Sequence, residues 1–149
     1  VSRAIYPGSF NPWHKGHADI LNKALKVFDE IIVARGYNPE KDIESFKLSD
    51  NQLADAINEE LGDEVGNYEN YRVKVVSFAG FLVDEVKKHN LNAVIRGLRN
   101  GHDLQYEMNQ QYWNEDLGLE IPIVYFICDR NLSHISSSMF RAIQKIKPV

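Results

Sequence analysis

The stretch from Tyr6 to His17, Y-P-G-S-F-N-P-W-H-K-G-H, constrains the fold of this chain more than any other. The apolar run Ala4-Ile5-Tyr6 before it reads as a buried strand. After it, Ile20, Leu21, Ala24, Leu25 and Phe28 recur at helical spacing within Ala18 to Phe28. Between the two, Pro7, Gly8, Pro12 and Gly16 stop either element from running on. The stretch is therefore a strand-to-helix turn, and free N–H groups at a helix N-terminus attract anions. Ser9 adds a hydroxyl, and His14 and His17 bring two imidazoles to the helix entrance, where both can face one ligand. Each alone reads equally well as a turn or cap residue. Together they suit a phosphate held for attack. Neither G-x-G-x-x-G nor G-x-x-x-x-G-K-[ST] is present.

The remaining pattern repeats this alternation. Glu30 to Ala34 reads as a strand buried on both faces, followed by a loop through Arg35-Gly36-Tyr37-Asn38-Pro39 that carries Lys41. Ser49 caps a helix striped by Leu53, Ala54, Ile57 and Leu61. The acidic residues between Glu59 and Glu69 read as a solvated loop. Tyr71 to Val76 is a third strand, and Phe78 to Leu82 turns into a helix reaching about Lys88. Asn92 to Ile95 is a fourth strand with Arg96-Gly97-Leu98-Arg99 at its end, then a helix spans about Asp103 to Leu117. Ile121 to Cys128 is a fifth strand, leading to Ser136-Ser137-Ser138 and a last helix to about Lys145. No hairpin signal interrupts the series, so the expected fold is one α/β domain over 1–149, a doubly wound five-stranded parallel sheet. Ligands of such sheets lie outside the carboxyl ends of the strands, where the strand order reverses.

Composition narrows the function classes. A net charge of −4 argues against a general nucleic-acid binder, which needs a basic face. No apolar run approaches the roughly 20 residues needed to span a bilayer, so no membrane partner is expected. The N-terminus shows no charged-then-apolar leader, and Cys128 is the only cysteine, so the expected location is cytoplasmic. His89, His102 and His134 have no partner at a metal-ligand spacing, and His14 with His17 gives two ligands at most; no protein-bound metal is expected.

The polar residues at strand ends converge on one site. Arg96 and Arg99 flank a backbone that can bend at Gly97, so both guanidiniums can reach one polyphosphate, although one arginine alone would read as solvated. Ser136 to Ser138 cap the last helix or cradle outer phosphates, with Arg141 one turn on. On the helix from Asp103, Leu104, Met108 and Tyr112 read as core. Tyr106, Gln110 and Trp113 read as partly exposed, lining either a pocket or an interface between subunits.

His14-Lys15-Gly16-His17 after Gly8-Ser9-Phe10 resembles the H-x-G-H signature of the nucleotidyltransferase superfamily. Over Ala4 to about Ile143 the chain resembles the phosphopantetheine adenylyltransferase family. The likeness lies in Y-P-G-S-F-N-P with H-K-G-H, N-P-E-K, F-A-G-F-L, R-G-L-R with Y-E-M, and I-S-S-S. That resemblance implies a Rossmann-like nucleotidyltransferase fold, and adenylyl transfer from ATP to 4'-phosphopantetheine giving dephospho-coenzyme A and pyrophosphate. It also implies magnesium as cofactor and a hexamer. It implies that His17 stabilises the transition state, with Lys41 and Arg96 as its catalytic companions, and that Ser9, Lys41, Leu82 and Arg96 hold the acceptor. Ser9, Phe10, His14, His17, Gly97, Leu98, Arg99, Glu107 and the run Leu132, Ser133, His134, Ile135, Ser136, Ser137, Ser138 would surround ATP. The chain departs from the family pattern at Asn11, His14, Gln110 and Trp113. Another phosphate acceptor, or a nucleotide-binding module without turnover, are the alternative readings.

Overall fold

The computed structural model describes residues 1–37, 46–62, 71–99 and 101–129, with the backbone alone at 101 and 102. In chain order they form β1 (Arg3–Gly8), α1 (Lys15–Ala24), β2 (Glu30–Tyr37), α2 (Asp50–Leu61), β3 (Val73–Ala79), α3 (Leu82–His89), β4 (Ala93–Leu98), α4 (Gly101–Asp116) and β5 (Ile123–Ile127). The strands make one parallel sheet in the order β3-β2-β1-β4-β5. The chain first winds outward from β1 to β3, then α3 carries it back across to β4 on the other side of β1. This is the expected doubly wound sheet, and its switch point lies between β1 and β4.

Strand residues alternate between two cores. Ala4 and Tyr6 of β1, Ile31 and Val33 of β2 and Ala93 and Ile95 of β4 pack with Leu21 and Ala24 of α1 and Leu53 and Ile57 of α2. Ile5, Ala34 and Val94, one residue out of phase, pack with Val83 and Val86 of α3 and with Leu91 and Leu119. Burial on both faces is why these strands read as continuous apolar runs instead of alternating ones.

Three expectations need correction. Arg35-Gly36-Tyr37 and Arg96-Gly97-Leu98 are not loops but the last residues of β2 and β4, paired through Tyr37↔Ala79 and Leu98↔Ile127. Backbone pairing continues past the apolar run because neighbouring strands supply partners regardless of side chain. Helix α1 begins at Lys15 and not Ala18, because His14 caps it. Leu104, Met108 and Tyr112 are not core: they are 41%, 43% and 55% exposed, and among the described side chains of α4 the buried one is Glu107. The expected cap at Ser49 is present, its hydroxyl accepting from the Gln52 N–H and the Gln52 side chain returning to the Ser49 N–H. Lys41, most of the acidic loop, the run 132–138 with its serines, Arg141 and the last helix lie outside the described residues.

Candidate active site

The pocket opens where two neighbouring strands part. Strand β1 pairs with β2 as far as Gly8, but with β4 only at Ala4 and Ile5. Pro7, which has no N–H to give, therefore falls where β1 has already left β4. Its carbonyl is not idle: Arg96 of β4 donates to it across the gap, Nη1 to O at 2.9 Å. Between the two strand ends lies a cavity of about 300 Å³. Tyr6 and Pro7 line it from β1, His14 and His17 from α1, Arg96, Gly97 and Leu98 from β4, and Asp103 and Glu107 from α4.

The two histidines form a capping box in which imidazoles stand where a serine and a glutamate are usual. His14 Nδ1 accepts from the Gly16 N–H at 3.1 Å, and His17 Nδ1 accepts from the His14 N–H at 3.2 Å. Cap and ligand roles are therefore compatible, but at least one helix-end donor expected to be free for an anion is already taken. The rings stack at 3.7 Å between centroids, and the ring of the buried Phe10 meets His17 edge-on at 4.9 Å. A Cβ on Gly16 would come within 2.9 Å of His14 Cε1, so the stack requires glycine there.

Burial, then His14, Arg96 and Arg99, push the pKa of His17 well below its ordinary value; burial and then Arg99 lower that of His14. Both imidazoles are neutral at neutral pH. Because each Nδ1 accepts a backbone hydrogen bond, the single proton of each ring sits on Nε2. The site thus holds two neutral donors of fixed tautomer.

Opposite them, Arg96 forks onto Glu107, Nε to Oε2 at 2.9 Å and Nη2 to Oε1 at 2.7 Å. Burial alone would lower the Arg96 pKa, but the Glu107 carboxylate outweighs it and holds it above the usual range. Arg99 is tied to Asp103 at the start of α4, with Nε to Oδ2 at 3.0 Å, and its own N–H donates to the same oxygen at 2.9 Å. The arginines thus also fasten α4 to the sheet. Gly97 lets α1 approach β4: a Cβ there would meet Ile20 Cγ1 at 2.9 Å.

Of the residues expected at the site, Phe10, His14, His17, Arg96, Gly97, Leu98, Arg99 and Glu107 line this pocket. Ser9 is exposed on the turn beside Gly8, outside the lining, and Leu82 starts α3 and packs on the α3 core. Lys41 and Leu132 to Ser138 lie outside the described residues. The lining also includes Tyr6, Ile20, Asp103 and Cys128, which were not expected there as site residues, and Tyr106, for which a pocket was one of two readings; Gln110 and Trp113, given the same two readings, do not line it. The i,i+4 spacing of Arg99 and Asp103 at a helix start was a readable signal for one of them. Among the described residues no group of three or more His, Cys, Asp or Glu side chains could hold a metal ion.

A parallel sheet that opens at its switch point over a pair of capped histidines defines a nucleotidyltransferase-like protein. In agreement, the profile of the cytidylyltransferase-like family matches residues 5–143. The phosphopantetheine adenylyltransferase of Francisella tularensis subsp. novicida (strain U112) is 41% identical over 141 residues, covering 94% of this chain and 81% of that protein. The chain belongs to the cytidylyltransferase-like family and, within it, to the phosphopantetheine adenylyltransferases. Among solved structures, a bifunctional NMN adenylyltransferase/ADP ribose pyrophosphatase from Francisella tularensis superposes with a TM-score of 0.62 at 18% identity, over 95% of this chain and 41% of that one. The lipopolysaccharide core biosynthesis protein from Thermoplasma volcanium GSS1 does so with a TM-score of 0.56 at 18% identity, over 86% of this chain and 98% of that one. Those two likenesses speak for the fold alone.

Proposed function

We propose that this chain transfers the adenylyl group of ATP to 4'-phosphopantetheine, giving dephospho-coenzyme A and pyrophosphate, a step of coenzyme A biosynthesis. An oxygen of the acceptor phosphate bonds to the α-phosphorus, the bond from that phosphorus to the bridging oxygen breaks, and pyrophosphate leaves with the electron pair. The nucleophile is already an anion, so no general base is needed. What the protein must supply is alignment of two mutually repelling anions and donors aimed at the charge that grows on the α-phosphate.

The observation that carries this reading is that each of the two imidazoles accepts a backbone N–H at Nδ1, which leaves Nε2 of each ring as the donor facing the pocket. A donor whose tautomer is set before the substrate arrives needs no reorganisation when charge develops. We assign that role to His17, with His14, Phe10, Gly97, Leu98, Arg99, Glu107 and residues 132–138 around ATP. Ser9, Lys41, Leu82 and Arg96 take the acceptor, Arg96 and Lys41 also acting in catalysis. Magnesium fits as a metal carried by the nucleotide: the carboxylates lining the pocket, Asp103 and Glu107, are each held by an arginine, and magnesium commonly binds through substrate phosphates and water. It would neutralise charge on the leaving pyrophosphate.

We read the protein as cytoplasmic and as a homo-oligomer, a hexamer by family resemblance. No helix among the described residues is long and apolar enough to cross a membrane. The outward Leu104, Met108, Tyr112 and Trp113 of α4 support burial against another copy. The deciding assay supplies ATP and magnesium with phosphopantetheine, nicotinamide mononucleotide or a small sugar phosphate and measures pyrophosphate release. The highest kcat/KM is expected with phosphopantetheine. Faster turnover of another acceptor would reassign the substrate, and none in either direction would leave a nucleotide-binding module.

A further inference from the structure

We propose that Arg35, at the carboxyl end of β2, is a positioning residue for the second substrate: it locks the ends of β2 and β3 and the start of α2 into one rim that the acceptor must cross. The proposal rests on the adenylyl-transfer reading above.

Arg35 is 3% exposed, in a strand whose other buried positions, Ile31, Val33 and Ala34, are apolar. Its guanidinium grips Asp50, the first residue of α2, through Nε at 3.2 Å and Nη2 at 2.6 Å, both to Oδ1. Its Nη1 donates to the Leu48 carbonyl at 2.8 Å. Ser77 of β3 donates its hydroxyl to the same Asp50 oxygen. The Phe46 ring lies over the guanidinium, 4.4 Å from Cζ to the centroid, and Tyr37 meets Phe46 edge-on at 5.9 Å. One side chain thus joins β2, β3, the entry to α2 and the rings flanking 38–45.

Stability does not demand this arrangement. Only the arginine of this pair is buried, the Asp50 side chain being 34% exposed, and an apolar side chain of similar length fills such a site at little cost if the charge opposite is removed too, whereas a fork of charge-assisted bonds specifies geometry. The geometry it specifies lies on the acceptor's side. The histidine pocket sits over β1 and β4, takes no lining from β2 or β3, and at about 300 Å³ is at the small end for a single ligand. A second substrate whose phosphate meets that phosphorus beside Arg96 must extend over the remaining carboxyl edge, the ends of β2 and β3. Leu82 follows β3 on that edge.

The test measures KM for ATP and for phosphopantetheine, with thermal melting, in three variants. Arg35→Met is expected to raise the acceptor KM at least tenfold while the ATP KM stays within twofold. Arg35→Met with Asp50→Leu leaves no unpaired charge and is expected to recover most of the melting temperature but not the acceptor KM. Ser77→Ala, which removes one donor and strands no charge, is the mild variant and is expected to raise the acceptor KM about threefold. An acceptor KM within twofold of the unmodified protein in all folded variants overturns the proposal. So does an equal rise in both KM values, or a double variant that restores KM together with stability, because a merely structural role predicts that result. If the unmodified protein does not turn over phosphopantetheine, the functional reading itself fails; if it does and the variants match it, the role of Arg35 alone fails.

Discussion

Helices α1 and α4 both lean on β4 and both line the pocket, yet they are attached to that strand by opposite means. Helix α1 buries Ala18, Ile20, Leu21 and Ala24 and meets β4 with none of its polar side chains: His14 and His17 close its own cap, and Lys23 and Asp19 reach past β4 to the Ile127 carbonyl and the Asp129 N–H at the end of β5. Helix α4 turns polar side chains inward: Glu107 is buried on Arg96, Asp103 holds Arg99, and Gln111 accepts from the Tyr125 hydroxyl at 3.4 Å. Its apolar residues face outward. The first attachment is made by area removed from water, which is indifferent to direction; the second depends on a few directional bonds. The helix that carries the histidines is therefore held on β4 by packing, and the arginines are set by the helix they hold.

That contrast can be broken at its strong end first. Leu21 is fully buried, and Leu21→Ala should lower global stability by about 3 kcal/mol through lost transfer energy and a cavity, seen as a cooperative fall in the denaturation midpoint. Glu107→Gln should cost less, about 2 kcal/mol, because Arg96 remains partly exposed, and the loss should be local. Hydrogen exchange should quicken across 101–116 and leave 15–24 protected. If both helices exchange faster together, the two attachments are not independent.

A smaller effect follows from the cap of α1. The folded-state pKa of His17 lies well below that of the unfolded chain, about 6.5, so below that pH the unfolded state takes up a proton that the folded state refuses. Stability from this source is complete above about pH 6.5 and declines as the pH falls toward the folded value. The melting temperature should drop between pH 7.5 and 5.5, and the drop should shrink in His17→Asn. Equal slopes would mean the imidazole is charged in the fold.

The smallest effect is expected at the outer face of α4. Met108→Ser should change the stability of an isolated subunit by less than about 0.5 kcal/mol, since the side chain is 43% exposed. A larger loss that depends on protein concentration would show that this face is covered by another copy.

The same contrast explains what could be read in advance. The apolar stripe of α1, the turn before it and the alternation of strands and helices were legible because each is a local pattern. The orientation of α4 was not. Leu104, Met108 and Tyr112 are apolar at helical spacing and so read as core, but Arg96 claims Glu107 from a different element, and sequence spacing does not display such a partner. Likewise, Arg35 read as a loop residue because its charge is answered by Asp50 of α2 and by the Leu48 carbonyl, beyond the end of its own strand.

The contact between Gly97 and Ile20 has a consequence for altering this site. The width of the gap from imidazole to guanidinium is gauged by how closely one isoleucine methylene can rest on a bare α-carbon, so the spacing is set beneath the polar residues. Ile20→Ala, which removes that methylene behind the histidines, is therefore the substitution with which to retune that gap without changing any group that donates a hydrogen bond in it.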